Sequence, residues 1–262
     1  MPELIRSRHA AFHALMREVN GIIVPREWIR SLLVRNGVPD SKITLTQHGL
    51  ENTRASRAQI IDVATAPLRV AFLGRADKVK GADTLLKAVR SSPGLDVKAD
   101  LFGVTQSTAD GTYWKELQQL AEQDKRVSFL PPVPHDQVIS LLGEYHVLAV
   151  PSRCLETGPL VILESFAAGT PVIGSDLGGI ADLVRHEDNG LLVEAESIPG
   201  WVEALRRCAE DRCLLARLRS GVESPRTMTD VVQDIAQLYR KQVDSAKLAP
   251  ISAFAAESDC LS

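Results

Sequence analysis

Two cations and two carboxylates carry most of the chemistry that this chain offers. Arg75 follows Leu73-Gly74 at the end of an apolar run, and Lys80-Gly81 opens a helical pattern. Glycine permits a tight turn after a strand, and a helix start presents unpaired N–H groups and a positive dipole end. Two basic side chains converging there suit a dianion such as a diphosphate, with Arg75 binding bidentately and Lys80 as a point charge. The second constellation is Pro151-Ser152-Arg153-Cys154-Leu155-Glu156-Thr157-Gly158-Pro159-Leu160, leading through Val161-Ile162-Leu163 to Glu164. Pro159 suits the first position of a helix that reaches Ala168 and stops at Gly169-Thr170-Pro171. That helix is apolar nearly all round, so it is expected to be buried. Glu164 is its only charge, and a buried carboxylate needs a partner or a polar ligand. Glu156 lies on the loop feeding the same helix, where the amides near Gly158, Pro159 and Leu160 favour an anion. Taken singly, Arg75 and Lys80 read as solvated loop cations and Glu164 as half of an internal salt bridge. Together, beyond the ends of apolar strands, they favour a ligand.

Other candidates carry less. His9 and His13 are four apart on a helical pattern, without acidic or cysteine residues clustered beside them, and read as ordinary histidines. His48 stands in a turn without a residue-level reason for a role. Tyr113 and Trp114 at a helix start read as packing residues.

The elements that must position these residues follow from periodicity. Residues 2–19 have helical apolar spacing, 21–24 read as a short strand, and a helix from Arg26 stops at Asn36-Gly37 with Pro39 beyond. Residues 43–46 alternate as a strand, and 51–67 read as a connection. From Leu68 strands and helices alternate: strands at 68–73, 97–102, 126–129, 146–150, 171–174 and 190–193. Helices are expected at 82–90, 113–124, 136–142, 159–168, 180–185 and 198–219, the last broken, with a final helix at 230–243. Continuously apolar strands such as Val147-Leu148-Ala149-Val150 suit a parallel sheet covered on both faces. The pattern predicts an α/β fold with a doubly wound parallel sheet, Rossmann-like, preceded by a short β-α-β unit.

Composition narrows the class. The chain has 262 residues, 45% hydrophobic and 24% charged, which is globular rather than disordered. A net charge of −3 provides no basic field for nucleic acid, so none is expected as a partner. No apolar run approaches the ~18 residues of a membrane helix, and the first residues lack a secretory signal pattern. The four cysteines (Cys154, Cys208, Cys213 and Cys260) fall in no metal-ligand spacing, and a reduced, cytoplasmic chain is expected.

The phrases GRADKVKG, PSRCLETGPLVILESFAAGTPVIGSDLGGIADLV and NGLLV resemble the donor-binding half of the group 1 glycosyltransferases, retaining enzymes built from two Rossmann-like domains (GT-B type). The resemblance spans about residues 20–245, with its motifs in order. Glu156 and Glu164 match that family's E-x7-E signature, and Arg75 and Lys80 its cations. The resemblance implies that Arg75 and Lys80 hold the diphosphate of a UDP- or GDP-sugar. It further implies that Glu156 contacts the transferred sugar and that Glu164 accepts hydrogen bonds from ribose hydroxyls. Gly158, Pro159 and Leu160 would line phosphate and sugar, and Val133, in the loop Pro132–His135, would lie along the nucleobase. The acceptor would be a glycan or a lipid-linked precursor, placing the protein in the cytoplasm or at the inner membrane face. No D-x-D triplet occurs, so Arg75 and Lys80 are expected to supply the charge that a metal supplies in the other major glycosyltransferase architecture. No cofactor and no obligatory metal is expected.

The chain departs from the family in what precedes this half. Residues 1–66 match only the last β-α-β of the acceptor-side domain and a linker, 67–225 the donor-binding domain, 226–247 the helix that crosses back, and 248–262 a tail. Ser165 and Asp182 stand where the pattern has a small apolar residue and Glu. The acceptor site, the Gly-rich loop and the histidine of the first domain have no counterparts here. Two readings follow: an enzyme or its donor-binding half, and a nucleotide-sugar-binding module needing a separately encoded acceptor domain. The apolar faces of the first ~50 residues and the last helix are expected to be uncovered and to favour self-association or a partner.

Overall fold

The structure is a computed structural model that describes residues 2–51, 67–104 and 108–248. Residues 52–66 of the expected connection at 51–67 and residues 249–262 of the tail, Cys260 included, lie outside the described residues. Among the described cysteines none is paired.

The first segment is α1 (Pro2–Glu18), β1 (Ile22–Val24), α2 (Glu27–Arg35) and β2 (Ile43–Leu45). β1 and β2 pair in parallel, Ile22 against Ile43, completing the expected β-α-β unit. Its apolar faces are uncovered: Leu4, Ile5 and Leu15 on α1 and Leu32 and Val34 on α2 are exposed.

The larger unit is built on β3 (Leu68–Arg75), β4 (Val97–Val104), β5 (Val127–Leu130), β6 (Val147–Val150), β7 (Val172–Ser175) and β8 (Gly190–Val193). The strands run in parallel in the order β5-β4-β3-β6-β7-β8. The chain therefore winds outward from β3 to one edge, returns beside β3 as β6, and winds to the other edge, as in the dinucleotide-binding topology. The period-two alternation of strands sorts the core. Leu68, Val70, Phe72, Val147 and Ala149 belong to one apolar cluster, with Leu85 and Leu86 of α3 (Ala82–Arg90) and Trp201 and Leu205 of α8 (Ile198–Glu210). Ala71, Leu148 and Val150 belong to the other, with Leu142 of α5 (Val138–Leu142) and Ile162 and Phe166 of α6 (Leu160–Ala167).

The structure corrects some boundaries. α4 runs Thr108–Leu120 rather than 113–124, and Gln123, in the turn that follows, has a left-handed φ of 69°. The helix expected at 180–185 is only α7 (Gly178–Ala181); beyond it the Asn189 side chain accepts from the Arg185 amide and donates to the Leu183 carbonyl. The long helix at 198–219 breaks at Asp211, whose carboxylate caps α9 (Arg212–Ser220) by accepting from the Leu214 amide.

The final helix, α10 (Met228–Leu248), is tied to the first segment at its start. Leu50 donates to the Arg226 carbonyl at 2.9 Å and accepts from the Met228 amide at 2.9 Å. Val232, Tyr239 and Val243 of this helix are exposed. Among the described residues no helix is long and apolar enough to cross a membrane.

Candidate functional site

The topological switch point lies between β3 and β6, and a crevice opens beyond their carboxyl ends. A cavity of about 250 Å³ there is lined by Gly74, Arg75 and Lys80 from the β3 side and by Ser152, Glu156, Pro159 and Leu160 from the β6 side. Ligands bind at this place in open parallel sheets because neighbouring connections leave in opposite directions and helix N-termini point inward.

Lys80 ends a short 3-10 turn (Lys78–Lys80), and Gly81 follows with a left-handed φ of 69°. A Cβ at Gly81 would collide with the Pro151 carbonyl, so glycine alone lets the β3 connection lie against the end of β6. That approach brings the Lys80 ammonium within 2.6 Å of Glu156 Oε1. Ser152 Oγ donates to the same oxygen at 2.8 Å. The Lys80 and Glu156 side chains are 23% and 14% exposed, so the pair is partly desolvated yet open to the cavity. Two residues assigned to different parts of a donor are thus each other's partners in the crevice. Arg75 is freer: its side chain is 50% exposed and its Nη2 stands 3.9 Å from Asp77 Oδ2.

α6 begins one residue later than expected. Pro159 has an extended ψ of 122° and occupies the N-cap, preceded by Gly158 with φ 119°. Leu160 and Val161 line the crevice, and their amides, the first of the helix, have no acceptor within it. Ile162, Leu163, Glu164, Ser165 and Phe166 are buried as the apolar pattern implied, whereas Leu160 is exposed because it forms the crevice wall. Glu164 is 6% exposed. Burial pushes its carboxyl above the usual range, and His135 partly opposes the shift. His135 Nδ1 lies 3.3 Å from Glu164 Oε1 on an exposed side chain. The loop Pro132–His135 therefore does approach the E-x7-E helix, with Val133 packed on the second core cluster.

Four neighbours were not singled out in the sequence. Ser152 and His135 lie inside motifs that were read for other residues. Trp28 donates its indole N–H to the Glu156 carbonyl at 3.1 Å, and its backbone amide donates to Asp182 Oδ2 at 3.2 Å. Arg26 lies against Gly158. No local signal marks Trp28 or Arg26, because their partners are more than a hundred residues away. Of the other candidates, Tyr113 is buried and donates its hydroxyl to Asp83 at 2.7 Å, and the His9 and His13 rings meet edge to face on α1, with His9 exposed.

A parallel sheet of this winding with cations, amides and a carboxylate at its switch point defines a Rossmann-type ligand-binding domain. The chain belongs to the glycosyl transferases group 1 family, whose model matches residues 56–223. It is 31% identical over 205 residues to a D-inositol 3-phosphate glycosyltransferase of Nocardia farcinica, covering 73% of this chain and 45% of that protein. The corresponding protein of Saccharomonospora viridis is 30% identical over 251 residues, covering 88% of this chain and 58% of its own length. The chain thus spans about half the length of these curated relatives. Among solved structures it resembles Anabaena HepE in complex with UDP and glucose (TM-score 0.75, 20% identity, 88% of this chain and 66% of that one). It also resembles a sucrose-phosphate synthase of Thermosynechococcus elongatus (TM-score 0.76, 24% identity, 92% and 62%). Both likenesses concern the fold.

Proposed function

We propose that this chain is the donor-binding half of a retaining glycosyltransferase that moves a sugar from a nucleoside-diphosphate sugar to a glycan, lipid-linked or small polyol acceptor. The observation that carries this reading is the switch-point crevice, where Arg75 and Lys80 face Glu156 and the start of α6 across a single cavity. Breaking the glycosidic bond leaves growing negative charge on the diphosphate and an oxocarbenium-like sugar. Arg75, Lys80 and the Leu160 and Val161 amides act on the first, and preorganised charge of this kind supplies much of a transferase's rate. Glu156 contacts the sugar near the reacting carbon. Glu164, buried on α6 beside His135, accepts from ribose hydroxyls, with His135 and Val133 on the nucleobase side. No obligatory metal is required, since the two cations take its role. UDP, named with the Anabaena structure, and D-inositol 3-phosphate, named for the relatives, are the first donor nucleotide and acceptor to test.

Calorimetric titration with UDP- and GDP-sugars, with and without EDTA, decides the matter. Arg75→Ala and Lys80→Ala are expected to abolish donor binding, and EDTA to leave it unchanged. Glu156→Ala is expected to keep binding and lose transfer or donor hydrolysis, with the anomer of the product reporting retention. Donor binding indifferent to both cations would overturn the assignment.

A second reading is favoured by the uncovered faces of α1, α2 and α10: a donor-binding subunit completed by a separately encoded acceptor domain or by self-association. Sedimentation equilibrium separates the two. A strictly monomeric chain that transfers sugar alone would remove the second reading.

A further inference from the structure

We propose that Arg26, carried by the acceptor-side segment, is a third cation of the donor site and acts on the diphosphate through the Glu156–Pro159 loop. The inference rests on the donor-site reading above. Arg26 follows β1, occupies the N-cap of α2 and is only 3% exposed. Its Nε and Nη2 are sealed from solvent and have no acceptor among the described residues. A guanidinium has five donors and keeps its charge at every physiological pH, so burying it without an acceptor is costly unless a ligand supplies the negative charge.

Its placement says which ligand. The guanidinium lies against Gly158: a Cβ there would stand 2.5 Å from Nε and 3.0 Å from Nη2. Gly158 leads directly into the N-cap of α6, so Arg26 sits at the positive end of that helix, behind the crevice wall formed by Pro159 and Leu160. Trp28, two residues on, secures this arrangement through its bonds to the Glu156 carbonyl and to Asp182. Asp182 is the acid that acts on the Arg26 charge, and it does so only at range. Burial, and then the Arg26 guanidinium, lower the pKa of His48.

The charges of the crevice point the same way. Lys80 is matched by Glu156 at 2.6 Å, whereas Arg75 is half exposed and 3.9 Å from Asp77, so one of the two crevice cations is already held by an acid. A doubly charged diphosphate entering this set needs positive charge that is not already spoken for, and Arg26 is such a charge at the α6 start. In a partly desolvated site its charge acts on the diphosphate over several ångströms.

The test titrates UDP and uridine into the full chain and into Arg26→Gln and Arg26→Lys, with circular dichroism as the folding control. Arg26→Gln is expected to weaken UDP roughly tenfold while uridine is unchanged, and Arg26→Lys to stay within about threefold of the original. Equal loss for UDP and uridine would make Arg26 a packing residue and overturn the inference, as would unchanged UDP affinity. If the neutral variant does not fold, Arg26→Lys decides alone: a tenfold loss of UDP with the charge retained overturns it. Arg75→Ala separates the two levels. UDP binding that survives Arg75→Ala removes the donor reading itself, whereas binding lost there and kept in Arg26→Gln removes only the role of Arg26.

Discussion

Replacing Glu156 by Gln should tighten the binding of UDP while abolishing sugar transfer. Glu156 holds the ammonium that a diphosphate would use, at 2.6 Å and with Ser152 bonded to the same carboxylate oxygen. At an effective dielectric of about 20 a pair this close attracts by about 6 kcal/mol before desolvation is counted. The pair is partly buried, so desolvation of both groups offsets most of that, leaving a net of about 1–2 kcal/mol. UDP must give up this amount in order to take Lys80, and Glu156→Gln returns it. The expected gain is roughly tenfold in UDP affinity, since about 1.4 kcal/mol is one decade. UDP rather than a UDP-sugar is the right ligand, because it reports on the ammonium without the sugar contact that the variant also removes. Isothermal titration at constant ionic strength measures the gain, and Lys80→Met in the same background must erase it. UDP affinity that is unchanged or weaker in Glu156→Gln would refute the competition between carboxylate and diphosphate.

Two further outcomes follow from buried titratable groups. His146 is fully buried, its Nδ1 accepting from the Arg69 amide at 2.8 Å, and burial with the charges of Arg219, Arg212 and Arg69 lowers its pKa to about 4. The folded state binds fewer protons than the unfolded chain between pH 6.5 and 4, so stability present above pH 6.5 should be lost as pH falls through this window. The loss should be roughly 3 kcal/mol, and His146→Asn should flatten it in urea titrations at a series of pH values. Glu164 has the opposite sign. Its carboxyl is pushed up by burial, so the folded state favours the protonated form and stability declines as pH rises from 4.5 through the folded value. Glu164→Gln should remove that decline, making the chain more stable at neutral pH, while weakening UDP by about tenfold through the loss of a charged acceptor. A variant that is no more stable at pH 7 than the parent would contradict the cost assigned to the buried carboxylate.

Much of the fold was legible because strands and helices of a parallel α/β unit announce themselves locally. Runs such as Val147–Val150, buried on both faces, have no polar position to alternate, and Asn36-Gly37 and Gly169-Thr170-Pro171 end helices by backbone preference alone. Boundaries slipped where a distant or non-repetitive contact intervened: Asn189 beyond α7 and the left-handed Gln123 after α4 carry no periodic signal. The arginine–lysine and E-x7-E motifs were readable as types and spacings, and the structure gathers Arg75, Lys80, Glu156, Pro159 and Leu160 around one cavity. Glu164 was recognisable as a lone charge on an apolar helix, but its neighbour His135 was not.

By itself the sequence determined which residues could do chemistry, since charge, glycine placement and apolar period are properties of short segments. It determined as well that this chemistry stands at strand ends beside helix starts. Which of those groups meet was decided only by the tertiary structure. Lys80 reaches Glu156 because β3 and β6, separated by three other helices and two strands in the chain, pair at the sheet's centre and because Gly81 tolerates the Pro151 carbonyl. Arg26 and Trp28 reach the Glu156–Pro159 loop because the first segment folds back across the larger unit, a contact spanning 128 residues at Trp28. Pairings of that kind depend on the path of the whole chain, and no window of sequence contains them.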